Sequence, residues 1–249
     1  MEAKIKKIDG YELSTFVKKL LPIDKFIFMK IGKEGTVSSV YFPERDAVKL
    51  VSTPTTDIFE TDIDDSVKVS FYNGTKVIDA LSHFNGDIQG RIKYSEIDGE
   101  LMASDFTIEN SDLKINLACA DPSLSFMEMS KEETDRAFSA DGSIFEFDLL
   151  TTHVDKMKSL FNLERDDDTF TLCVTDKGVA VQGSSYDATL AHSYEGENAV
   201  GEKVVIYKKY INLLDKENYK VVVCSNKVVF KSLDTDTHLT VAVAITDED

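Results

Sequence analysis

The chain has 249 residues, 42% of them apolar, and a formal charge of −17 at neutral pH. That length makes one large domain or two of ordinary size, and the apolar share can build a sizeable core. No run of about 18 apolar residues is present, so no membrane-spanning helix is expected.

The opening residues, MEAKIKKIDGYEL, are charged early and lack the apolar core of a signal peptide, which makes a cytoplasmic location the expectation. Cys119, Cys173 and Cys224 stand apart without CxxC spacing. This argues against a disulfide framework or a zinc site and for buried thiols in a reducing compartment. An acidic balance repels phosphates and argues against nucleic acid, but only where the charge is evenly spread.

In chain order, the first helical signature is YELSTFVKKLL (11–21), with Leu13, Phe16, Val17, Leu20 and Leu21 on one face. Asp9 and Glu12 have capping spacing at its start, and Pro22 stops it. Alternation of period two then marks a strand at KFIFMKI (25–31), a turn at KEG (33–35) and another strand at VKVSFY (67–72). GTKVIDALSHF (74–84) returns to helical spacing through Val77, Ile78, Leu81 and Phe84. NGT (73–75) before it has the form of a glycosylation acceptor but reads as a helix-start turn in a cytosolic chain. Strands follow around IDG (97–99) and at LKINLAC (113–119).

After a polar, turn-rich stretch at 120–143, strand 143–149 leads into the helical window THVDKMKSLFN (152–162), where Thr152 and Asp155 have capping-box spacing. FTLCV (170–174) and DKG (176–178) form a further strand and turn. Strand 203–207 enters YKKYINLLDK (207–216), read as a fourth helix with Tyr210, Ile211 and Leu214 inward. YKVVVC, KVVFKSL and HLTVAVAI close the chain as strands, with a turn at SN (225–226).

The order of elements repeats: a strand, a helix, then further strands, four times over, two per half. Such a repeat indicates pseudo-symmetry. The expectation is an α+β fold of two similar domains, 1–122 and 143–249, joined by a connector at 123–142. An extended surface loop within a single domain is the other reading of that stretch.

The four helical windows hold eight lysines, Lys18, Lys19, Lys76, Lys156, Lys158, Lys208, Lys209 and Lys216, against Glu12, Asp79, Asp155 and Asp215. That is a surplus of four in a chain of net −17, so the remainder carries −21. Lysine is a good helix former that stays solvated, so each window alone is an ordinary exposed face. As equivalent parts of one repeat, the four are expected to share a surface.

With these features the chain resembles the DNA sliding clamps, and among them the trimeric processivity factors of T4-type bacteriophages. The resemblance is carried by ADPS (120–123), FEFDLLTTHVDKMKSLF (145–161), KGVAVQGSSYDATLAHSY (177–194) and ENYKVVVCSNKVVFKS (217–232), together with the order of elements. It implies the DNA-clamp fold, with helices on one face of antiparallel sheets. It also implies a homotrimer closed head to tail around duplex DNA, a DNA polymerase held on its template, and an ATP-dependent clamp loader as a separate partner.

The eight lysines then become DNA-facing residues that touch phosphates without base readout. Lysine suits this as a flexible point charge without the bidentate grip of arginine. The resemblance also implies a partner-peptide pocket under the connector, with Leu124, Phe126, Met127 and Met129 as candidates. Pinning the connector to its own domain is the alternative role for those residues.

No catalytic residue, metal site or cofactor is expected. DDD (166–168) and Asp234, Asp236 and His238 lack the glycine and terminal glutamate of a calcium loop. The four histidines have no serine or cysteine elbow nearby, and no phosphate-binding glycine loop is present. A two-domain, β-rich viral interaction or structural protein without DNA function is the alternative reading.

Overall fold

The computed structural model describes residues 1–33, 35–121 and 128–244. The chain divides into two compact units. One is drawn from residues 1–43 and 49–129, the other from 44–48 and 130–249.

In the first unit, β1 (Glu2–Ile8) buries Ala3, Ile5 and Ile8 and leads into α1 (Gly10–Leu20). The Asp9 carboxylate accepts from the amides of Tyr11 and Glu12, satisfying two donors that the first helical turn leaves open. Leu13, Phe16, Val17 and Leu20 form the buried stripe. Then come β2 (Ile27–Ile31), β3 (Gly35–Tyr41), β4 (Ala47–Pro54), a single helical turn α2 (Thr55–Ile58) and β5 (Phe59–Thr61). The second half holds β6 (Val67–Phe71), α3 (Gly74–Ser82), β7 (Ile88–Ile97), β8 (Glu100–Glu109) and β9 (Lys114–Ala118). Asn73 caps α3 by accepting from the Thr75 amide at 3.0 Å, as the NGT reading expects. The IDG turn closes β7 onto β8 with Asp98 at φ 52° and Gly99 at φ 83°, the double positive φ of a tight hairpin.

The second unit opens with α4 (Lys131–Phe138), inside the stretch that shows no sustained period in sequence. Ser130 and Glu133 form a reciprocal capping box there, which starts a helix that apolar spacing does not announce. Next are β10 (Ser143–Leu149), α5 (Thr151–Phe161), β11 (Thr169–Thr175), β12 (Gly178–Gln182), β13 (Asp187–Ala191) and β14 (Lys203–Tyr207). A 3-10 turn (Lys208–Leu213), β15 (Tyr219–Cys224), β16 (Lys227–Ser232) and β17 (Asp236–Ala242) complete it.

Two expectations need correction. The fourth window is not an α-helix over 207–216 but a 3-10 turn over Lys208–Leu213, and Lys216 lies beyond it. No side chain caps its start, and the buried Tyr210, Ile211, Leu213 and Leu214 pair at spacing three, which a 3-10 turn eclipses onto one side. The cap of α5 is Leu150, whose amide donates to His153 Nδ1 at 3.2 Å, in place of the expected Thr152–Asp155 pair.

Both units weave their strands in the same way. The first strand of the second half pairs with the second strand of the first half: β6 with β2 and β14 with β11. Reciprocally, the first strand of the first half pairs with β7 in one unit and β15 in the other. The sheets therefore run β4-β3-β2-β6 and β5-β1-β7-β8-β9 in the first unit, where a short parallel contact of β6 with β8 joins them. They run β13-β12-β11-β14 and β10-β15-β16-β17 in the second. This is the α+β clamp fold, with each sheet built from both halves of a repeat.

Candidate nucleic-acid interface

Helices α1 and α3 pack side by side and antiparallel. A Cβ built on Gly74 would lie 2.3 Å from Ile27 Cγ1 and 3.1 Å from Leu21 Cδ2, so the start of α3 meets the end of α1. One built on Gly10 would lie 3.0 Å from Ile88 Cδ1 and 3.8 Å from Leu81 Cδ2, so the start of α1 meets the far end of α3. Only glycine permits the approach at position 74.

Lys18 and Lys19 occupy the last turn of α1, where the helix dipole favours a cation. Lys18 and Lys76 are exposed and Lys19 is half-buried. The antiparallel packing brings these three to one end of the pair.

In the second unit α5 lies against the 3-10 turn. Lys156 is exposed and donates to the Thr189 carbonyl at 3.0 Å, while Lys158 is half-buried in the last turn of α5.

Lys208 is engaged differently. Its side chain is 11% exposed, its ammonium donates to the Glu164 carbonyl at 2.8 Å and lies 5.6 Å from the centre of the Phe161 ring. The Glu164 carboxylate, 3.8 Å away, accepts from the Ser185 hydroxyl and amide. The Ser185 hydroxyl foremost, then its amide and the Lys208 charge, hold the Glu164 carboxyl below the usual carboxylate range against the opposing effect of burial. Lys209 is exposed but pairs with Asp46 at 3.1 Å and Glu44 at 3.9 Å, over the rings of Tyr207 and Tyr210. Lys216 is exposed on the turn that precedes β15.

Two residues outside the windows join the basic end of the α1–α3 pair. The Lys25 carbonyl accepts from the Gly74 amide at 2.7 Å, which sets exposed Lys25 beside the start of α3. Tyr72, 61% exposed, stands edge-on to Phe26 with centroids 6.3 Å apart. Alternation extends through both positions, so local pattern assigns them to strand ends and gives no sign of a shared corner.

Of the four pocket candidates, Leu124, Phe126 and Met127 lie outside the described residues. Met129 is 3% exposed in the first unit, and its amide donates to the Ser39 carbonyl of β3 at 3.1 Å. Next to it, Glu128 accepts from Lys68 at 2.9 Å and pairs with Lys30, and Lys68 also donates to Glu100 at 2.5 Å. Burial pulls the Lys68 ammonium down, but its bonds to Glu100 and Glu128 outweigh that and leave it above the ordinary lysine value.

The three cysteines are free, Cys173 and Cys224 buried and Cys119 half-buried. Burial first, then Asp105, pushes the Cys119 thiol up to about 12, far from a reactive thiolate. Among the described residues no group of three or more His, Cys, Asp or Glu is placed to hold a metal. Asp234 instead accepts from the Asn218 amide at 2.7 Å, and Asp236 lies 3.2 Å from His238. No described helix is long and apolar enough to cross a membrane.

No protein-family model and no curated protein matches the chain. Solved structures do match along its whole length. Proliferating Cellular Nuclear Antigen from Entamoeba histolytica superposes with a TM-score of 0.69 at 16% identity, covering 98% of both chains. PCNA of A. fulgidus, solved with the C-terminal region of FEN-1 bound, gives 0.67 at 12% identity over 100% of both. A PCNA2–PCNA3 complex from Sulfolobus tokodaii gives 0.66 at 14% identity, covering 98% of this chain and 99% of that one. At these identities the likeness is one of fold: the chain has the PCNA clamp fold.

Proposed function

We propose that the chain is a non-enzymatic DNA sliding clamp. Three copies close head to tail around duplex DNA, hold a replicative DNA polymerase on its template, and are opened by an ATP-dependent clamp loader. The observation that carries this reading is the full-length match to the PCNA fold in a chain whose outward helical residues include Lys18, Lys76 and Lys156. The trimer, the loader, the kinship with T4-type phage clamps and a host-cytoplasmic location follow from the resemblance in sequence. So does the division into clamp domains at 1–122 and 143–249 with a connector at 123–142.

Ring closure by edge pairing suits β9 and β13, each of which hydrogen-bonds to a neighbouring strand on one side only among the described strands. A heterologous contact of that kind makes a ring when its rotation closes, and it covers edges that otherwise invite aggregation. Three chains of −17 each would repel DNA from the outer surface, leaving the lysine-bearing helices as the place where phosphates are tolerated.

Lys18, Lys76 and Lys156 form the primary DNA-facing set, supported by Lys19, Lys158 and Lys216. Lys208 and Lys209 contribute positive potential from within their pairs. The peptide pocket for the polymerase lies under the connector.

Native mass and topology test the reading together. A trimer at micromolar concentration, loaded onto nicked circles and lost when they are linearised, is the expected result. A strict monomer, or retention indifferent to linearisation, overturns it.

A further inference from the structure

The α1–α3 pair has a basic end and an acidic end. Lys18, Lys19, Lys25 and Lys76 gather where α1 finishes and α3 starts, and the positive end of the α3 dipole adds to them. Asp9, Glu12 and Asp87 gather at the opposite end, where α1 starts beside Ile88. Within the basic end Asp24 is occupied by the amide of Phe26 at 2.9 Å, and Asp79 sits one turn along α3 from Lys76.

A polyanion that follows this pair is attracted at one end and repelled at the other. The attractive end also carries Tyr72, 61% exposed, with its ring orientation set by the edge-on contact to Phe26.

We propose that this corner is a binding site for single-stranded DNA. Its phosphates are met by Lys18, Lys25 and Lys76, and one unpaired base stacks on Tyr72. Bases inside a duplex are already stacked on each other and offer no open face to a side chain. An unpaired base does, and stacking of this kind is tolerant of sequence. A ring already held in place loses little conformational entropy on binding. The site rests on the DNA reading given above but not on ring closure, since all its residues belong to the first unit. It would mark the place where an encircled duplex gives way to an unpaired strand.

Fluorescence anisotropy at low salt tests it on the full chain, with a labelled oligothymidine strand and a blunt duplex as the two probes. Tyr72→Ala should weaken the strand about tenfold and leave the duplex unchanged, while Tyr72→Phe keeps the strand affinity. Lys18→Ala with Lys76→Ala should weaken both probes and reduce the salt slope by about two. Tyr11→Ala removes the exposed ring at the acidic end and should change neither probe.

Absence of strand binding by the unaltered chain, a Tyr72→Ala variant that binds like it, or an equal loss from Tyr11→Ala overturns the site. The two readings fail separately. A chain retained on circles yet indifferent to Tyr72 keeps the clamp and loses this site. A monomer that holds the strand through Tyr72 keeps the site and loses the ring.

Discussion

Helix α3 and the 3-10 turn Lys208–Leu213 hold the same position in the repeat. Each follows the strand that opens a second half-unit and precedes three antiparallel strands, yet they present lysine in opposite ways. In α3 the Asn73 cap and the glycine behind it let a regular helix seat itself against α1, with Val77, Ala80 and Leu81 inward and Lys76 in solvent. In the turn no side chain caps the start, four apolar residues crowd into a short span, and Lys208 is drawn down onto Glu164. The same residue type is thus a solvated charge in one unit and part of the internal hydrogen bonding in the other. A lysine's role is set by whether its helix leaves it an outward face.

The largest test of this contrast is at Gly74. Gly74→Val forces side-chain atoms into Ile27 and Leu21 and should cost about 3 kcal/mol in urea denaturation of the first unit, leaving the second unit's transition in place. Next, Lys208→Met should destabilise the second unit by about 1–2 kcal/mol by deleting the bond to the Glu164 carbonyl, with little change in DNA retention. Lys76→Met should do the reverse, shifting stability by less than about 0.5 kcal/mol while lowering retention on nicked circles. If the two variants behave alike, the comparison fails. Asp9→Ala, which removes the cap of α1, should cost about 1 kcal/mol and shorten the protected amides at the start of that helix in hydrogen exchange.

The finest probe is pH. Because the Glu164 carboxyl is held below its ordinary value when folded, its contribution is fully present above the unfolded carboxylate range. It is lost as pH falls through the depressed native value. Unfolding of the second unit followed down through that acid range should show the extra loss, and Glu164→Gln should remove it.

Much of this architecture is legible in the residues. The i, i+3, i+4 apolar spacing of α1, α3 and α5 marks those helices to within about two residues of their ends. Asp-Gly at 98–99 announces the β7–β8 hairpin. Tyr210, Ile211 and Leu214 suit an α-helix as well as a 3-10 turn, so spacing alone chooses wrongly there, and only the missing cap distinguishes them. Helix α4 escapes because a capping box started it in a segment of low apolar content.

Outward lysines are readable from helical phase. The Lys208–Glu164 contact spans 44 residues and is not, because periodicity records which face a residue takes and nothing about which distant segment arrives to meet it. The corner formed by Lys25, Tyr72 and Lys76 is hidden for the same reason. It is made by the pairing of β2 with β6, the Phe26–Tyr72 ring contact and the backbone bond from Gly74 to Lys25.

The exchange of strands between half-units bears on how the chain reaches its native state. β1 is made well before one of its partners, β7, which lies on the far side of three helices and five strands, with Ile5 facing Gly90. β10 waits in the same way for β15. A nascent chain emerging at its ordinary pace therefore holds β1 with one edge open until β7 arrives, and β10 without its sheet neighbour until most of the second unit has been synthesised. Folding dominated by such distant pairings is slow. A chain cut between the two halves of a unit leaves these strands without their partners and should be found with chaperones or in aggregates.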